Sequence, residues 1–171
     1  MNKHSWFLVL ILLLSPATEA NEAPLLSVFV GSWQAEGEAF GAPSISEMVW
    51  SDTALGGKFF RLEYRIDRPA SSGPKTIFSG LAYYQKSTSG KSSAPTIKAF
   101  WADTNGNLHP VSATIDGHAL VAEWGTPDTE QGRTRYQLKE QNVMEVTDWV
   151  KTTSGWQQFN QTIFSRPATN R

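Results

Sequence analysis

From residue 29 to residue 165 the chain is a succession of short segments in which apolar and polar residues alternate. Turn signals rich in Gly, Pro, Asn, Asp and Ser recur roughly every ten to fifteen residues, and no helical period interrupts them. The pattern predicts strands near 29–37, 45–52, 58–67, 76–85, 96–102, 109–115, 118–124, 132–139, 143–151 and 156–165. An antiparallel array of that length must hide its edges, and closure into a barrel does so most completely. The expected fold is therefore all-β, a single up-and-down antiparallel barrel of about ten strands. A β-sandwich is the alternative. Barrels of this size either fill with their own side chains or hold one ligand.

Several strands declare an inside and an outside. Phe60, Leu62, Tyr64 and Ile66 oppose Arg61, Glu63, Arg65 and Asp67. Thr134, Tyr136 and Leu138 oppose Arg133, Arg135, Gln137 and Lys139. Asp116-Gly117 is expected to form a two-residue type I′ turn. That register puts Ile115 opposite His118, Ala113 opposite Leu120, Val111 opposite Ala122 and His109 opposite Trp124. The last two strands are mixed. Met144, Val146 and Val150 share a face with Asp148, and Phe164 flanks Asn160 and Thr162, so the alternation leaves their inner face open.

Residues 1–20 read as a secretory signal peptide. Lys3 and His4 precede an unbroken apolar run from Trp6 to Leu14, and small residues at Thr18 and Ala20 suit cleavage after Ala20. Nine apolar residues fall short of the roughly 20 that span a bilayer. The expected organisation is a signal peptide at 1–20, a lead-in at 21–28 whose Leu25–Phe29 part forms a short helical turn or plug, one barrel domain at 29–166 and a tail at 167–171. The expected location is the bacterial periplasm or the extracellular space, without membrane insertion after cleavage. The chain has no cysteine, so disulfides and thiolate chemistry are excluded. Removing residues 1–20 takes away Lys3 and Glu19 and leaves the net charge at −1. No strongly basic stretch exists, which argues against a nucleic-acid partner.

Motifs that carry chemistry elsewhere fail on context. Ser72-Gly73-Pro74-Lys75 has the Ser-x-x-Lys spacing, but Gly-Pro breaks the helix that motif needs. Ser89-Gly90-Lys91-Ser92 lacks the first glycine of a phosphate loop. Asp103 to Asn107 begins like a calcium loop, yet Leu108 stands where glycine is obligatory; a turn built on Asn105-Gly106 explains it better. Asn160-Gln161-Thr162 is a glycosylation sequon in mid-strand. His109 and His118 sit at opposite ends of one hairpin and do not suit a shared metal. Either could serve as a single axial haem ligand, although turn and strand-start positions favour structural roles. No cofactor is therefore expected. Glu47, Glu123, Glu145 and Asp148 are the carboxylates with the most apolar surroundings, and a buried one would act as acid or base. Arg133 and Arg135 would hold a ligand carboxylate only by pointing inward, and their alternation points them outward.

Gly31-Ser32-Trp33 on the first strand and Arg166 after the last resemble the calycin group, which includes lipocalins and fatty-acid-binding proteins. Leu55-Gly56-Gly57-Lys58-Phe59-Phe60, Phe100-Trp101-Ala102-Asp103, Arg135-Tyr136 and Trp156-Gln157-Gln158-Phe159 more closely resemble an uncharacterised family of bacterial lipocalin-like proteins, over most of residues 28–166. The resemblance implies a calycin-like barrel in which Trp33 and Arg166 close one end by a cation–π contact. It implies small-ligand binding and no settled activity.

The leading expectation is an exported protein that binds a small apolar or amphipathic molecule and carries no defined catalytic motif. Tyr64, Trp124, Tyr136 and His109 are the expected lining residues. One alternative is a small isomerase or lyase using a buried carboxylate or histidine. Another is a protein-interaction domain with a filled core and an exposed aromatic patch.

Overall fold

The computed structural model describes residues 25–69, 73–86 and 96–168. The leader at 1–20, residues 21–24 of the lead-in and Ser89-Gly90-Lys91-Ser92 lie outside the described residues. Ten strands follow a 3₁₀ turn at Leu25–Phe29: β1 (Gly31–Ala39), β2 (Ala42–Thr53), β3 (Phe59–Arg68), β4 (Lys75–Gln85), β5 (Ile97–Asp103), β6 (Leu108–Asp116), β7 (Ala119–Trp124), β8 (Gly132–Glu140), β9 (Val143–Thr152) and β10 (Gly155–Ser165). Each pairs antiparallel with its chain neighbours, and β1 closes on β10. The fold is a closed up-and-down barrel, which excludes the sandwich.

The closing seam is thin. Gln34 and Ser165 are the single pair in register between β1 and β10, whereas β1 and β2 pair over nine positions. Arg166 reinforces the seam from outside the ladder. Its guanidinium donates to the carbonyls of Val30 at 2.9 Å and Val28 at 3.0 Å. It also lies 4.1 Å from the centre of the Trp33 ring. Trp33 in turn donates its Nε1–H to the Phe29 carbonyl at 2.7 Å. The 3₁₀ turn is thus held across one end of the barrel as a plug. Phe29 is fully buried beneath it, a burial that stabilises by about 1.5–3 kcal/mol.

From the plug an aromatic stack continues inward. Phe29 packs on Trp50 at 5.5 Å, and Trp50 meets Tyr84 and Tyr136, each at 5.4 Å. Because successive strands run in opposite directions, the turns at 54–58, 117–118 and 141–142 share the plugged end. The connections at 40–41, 104–107, 125–131 and 153–154 share the other.

The β6–β7 hairpin differs from the expected one. Asp116 pairs with Ala119, Ala113 with Ala122 and Val111 with Trp124, so the two-residue turn is Gly117-His118 rather than Asp116-Gly117. Gly117 has φ +58° and His118 stays out of the left-handed region. Positive φ at the first central residue alone, with glycine there, is the type II′ pattern; a type I′ turn would force His118 to positive φ as well. The slip is by two residues, so every side chain keeps its face.

Two strand glycines have a packing reason. The Trp101 indole packs against Gly80 of β4, and the Trp124 indole packs against Gly132 of β8; a β-carbon at either glycine would clash with ring atoms. Rings laid over glycine bridge the gap that the missing side chain leaves in the wall.

Candidate functional site

The barrel is not filled to its open end. A cavity of about 300 Å³ lies between the aromatic stack and the open-end loops, at the small end of the range for ligand sites. Tyr84, Tyr136 and Phe164 form its inner part, and Phe40, Asn107, Glu130 and Phe159 reach it from the open end. Trp101, Trp124, Tyr64, Phe78 and His109 line its walls. Tyr64, Trp124, Tyr136 and His109 therefore all face one space. His109 lies against Trp124 with ring centres 5.4 Å apart, diagonally rather than directly across the ladder. His118 is exposed in the turn at the plugged end, so the two histidines do not converge.

One polar belt crosses four consecutive strands inside this aromatic surround. Trp124 of β7 donates its Nε1–H to Thr134 Oγ1 at 3.3 Å, and Thr134 of β8 donates to Asp148 Oδ1 at 2.7 Å. Asn160 of β10 donates its amide to Asp148 Oδ2 at 2.8 Å, and Thr162 donates to Asn160 Oδ1 at 3.2 Å. Register produces the belt. Thr134 and Asn160 are the two cross-strand partners of Asp148.

A bulge in β10 maintains it. Gln158 pairs with Trp149 and Asn160 with Asp148, leaving Phe159 as the extra residue. That insertion lets Asn160 face inward beside Asp148 while Phe159 lines the cavity. The open question of β9 and β10 is thereby settled. The Met144, Val146 and Asp148 face of β9 and the Phe164, Thr162 and Asn160 face of β10 are inside. The Asn160 sequon has its amide committed within the barrel.

Burial pushes the Asp148 carboxyl above the ordinary value of 3.8, and the donors Asn160 and Thr134 only partly offset that. Burial likewise raises the hydroxyls of Tyr64, Tyr84 and Tyr136, and the charge of Asp148 adds to each rise. Tyr64 donates its hydroxyl to Ser46 at 3.4 Å.

The other candidate carboxylates are on the outer wall. Glu47 pairs with Arg65, Glu123 with Arg133 and Glu145 with Lys139. Lys139 holds the Glu145 carboxyl below its usual range. Arg133 lies over the outer Trp156 ring at 4.4 Å, and Arg135 faces Asp116, so neither points into the cavity. Asp103 lines the open end in a structural role. Its Oδ1 accepts the backbone N–H groups of Asn105 and Asn107, and its Oδ2 accepts the Trp101 indole and the Asn107 amide. Burial pushes its carboxyl up, but these donors outweigh it and the net shift is downward.

No protein-family model matches the sequence, and no curated protein matches it. Among solved structures the chain is similar to the S-type phycobiliprotein lyase CPES from Guillardia theta, with a TM-score of 0.53 and 10% identity over 85% of this chain and 92% of that one. The barrel is calycin-like. That likeness concerns the fold, and the cavity contents have to be argued from this chain's own residues.

Tyr84, Trp101, Phe78 and Phe159 were not anticipated as lining residues. For Tyr84 a signal existed. Tyr83 and Tyr84 are adjacent and must face opposite ways, and the pairing of Phe60 with Tyr84 puts Tyr84 inside. For Phe159 there was none, because a bulge leaves no mark in alternation.

Proposed function

We propose that this chain is a binding protein for one small, partly apolar molecule taken up through the open end of the barrel. The observation that carries the reading is the aromatic cavity with a single built polar belt centred on Asp148. Apolar walls supply affinity and a few fixed polar groups set orientation, the usual division of labour in such sites. The plug supports the same reading, because it closes one end and leaves the other as the entrance. The leader at 1–20 supports export to the periplasm or beyond, and the Leu55 to Phe60 and Trp156 to Phe159 segments support membership of the exported bacterial lipocalin-like family. Calorimetric titration with small aromatic alcohols tests the reading. Saturable one-site binding is expected, and its loss in Ala122→Phe, which projects a ring into the cavity, would agree. Binding that ignores cavity-filling substitutions would contradict it.

A second reading has one observation behind it. The raised Asp148 carboxyl is suited to proton transfer on a bound substrate, as a small isomerase or lyase requires. A neighbour of the same fold bears the name lyase, which supports this reading at the level of fold alone. Turnover that disappears in Asp148→Asn while binding persists would separate it from simple binding.

A further inference from the structure

The cavity's charge is one-sided. Three acidic residues line it, Asp103, Glu130 and Asp148, and among the described residues no Lys or Arg does. Asp103 is saturated by its own turn, and Glu130 stands at the open end. Asp148 is different. Each of its oxygens accepts one neutral donor, Thr134 on one and Asn160 on the other. A carboxylate has about four acceptor positions, so roughly two remain.

No Lys or Arg on the described wall answers its charge. Trp124 on β7, Thr134 and Tyr136 on β8, Asn160 on β10, Tyr64 on β3 and Tyr84 on β4 are its neutral surroundings, and His109 on β6 is the one nearby titratable base. The outer wall shows the contrast, since Glu47, Glu123 and Glu145 each have a cation beside them. Asp148 is part-buried, and a charge drawn out of bulk water without a partner cation is costly. Aromatic faces around it attract a cation and repel an anion.

Resting on the binding reading above, we propose that the cavity selects an organic monocation, a protonated amine on an apolar body, with Asp148 as its counter-ion and the ring faces of Trp124, Tyr64 and Tyr136 as its cage. The ammonium would take the free acceptor positions of Asp148, and the body would lie along Trp101 and Phe78 toward the open end. An organic acid of the same size would meet Asp148 and no compensating cation from the described wall.

The test uses three probes on one skeleton with the purified protein at neutral pH: 2-phenylethylamine, 2-phenylethanol and 3-phenylpropionate, each titrated by calorimetry. The amine is expected to bind about tenfold or more tighter than the alcohol, and the acid weakest of all. In Asp148→Asn the advantage of amine over alcohol is expected to fall to about threefold or less, with alcohol affinity retained. The proposal is overturned if alcohol or acid binds the native protein as tightly as the amine, or if a folded Asp148→Asn variant keeps the full advantage. The native series decides alone where that variant does not fold. Binding of the alcohol without any amine advantage removes charge selectivity and leaves the binding reading standing. Failure of all three probes, and of larger neutral aromatics, removes both.

Discussion

The Arg166 guanidinium rests 4.1 Å over the Trp33 ring and at the same time donates to two carbonyls of the segment leading into β1. These contacts stitch the end of β10 to the start of β1, where the ladder itself supplies one registered pair. Replacing Arg166 by Met removes a cation–π contact and two charge-assisted hydrogen bonds, an expected loss of about 2–4 kcal/mol. Arg166→Lys should recover only part, because an ammonium cannot span both carbonyls while covering the ring. Urea denaturation of the two variants checks the ranking.

Gly80→Ala and Gly132→Ala should each destabilise by about 1–3 kcal/mol through overpacking. The new methyl group would push the Trp101 or Trp124 ring off the wall toward the cavity. Reduced probe binding should accompany the stability loss, and an altered near-ultraviolet circular dichroism spectrum would report the ring displacement.

Thr134→Val keeps shape but removes the donor to Asp148 and the acceptor for the Trp124 indole. Leaving those groups unpaired should cost about 1–3 kcal/mol, measurable as a lower denaturation midpoint.

Asp148 also predicts a pH dependence with a definite sign. Its folded-state pKa is raised above 3.8, so in the window between that value and the raised one the native state holds a proton that the unfolded chain has released. The contribution is fully present below the window and is lost as pH rises through the folded pKa. Native stability relative to Asp148→Asn should therefore fall as pH increases across the window. His109, which lines the same cavity, makes His109→Gln the background in which to repeat the comparison. Denaturation midpoints of both proteins across the acid range check the sign; a rising difference would contradict the burial of this carboxyl.

Much of the wall was legible from alternation, and the reason is physical. Strands β3 and β8 face core on one side and water on the other, so Phe60, Leu62 and Tyr136 could be separated from Arg61, Glu63 and Arg135 by parity alone. The β6–β7 faces survived a wrong turn because a two-residue slip preserves parity, whereas the pairing of His109 with Trp124 did not survive it. The polar belt was harder to read. Asp148 stood beside three carboxylates of similar local pattern, and cross-strand partners distinguish it. Glu47 lies opposite Arg65 and Glu123 opposite Arg133, while Asp148 lies between Thr134 and Asn160. That distinction needs register, and the β10 register depends on the bulge at Phe159.

The most direct test of the cavity as the binding site follows the tryptophan indole N–H resonances while 2-phenylethylamine or 2-phenylethanol is added. Trp101 and Trp124 line the cavity, Trp33 and Trp50 lie buried toward the plug, and Trp149 and Trp156 belong to the outer wall. Saturable shifts are expected at Trp101 and Trp124 with the outer-wall pair unmoved. Shifts confined to Trp149 and Trp156, or no saturable shift at all, would contradict it.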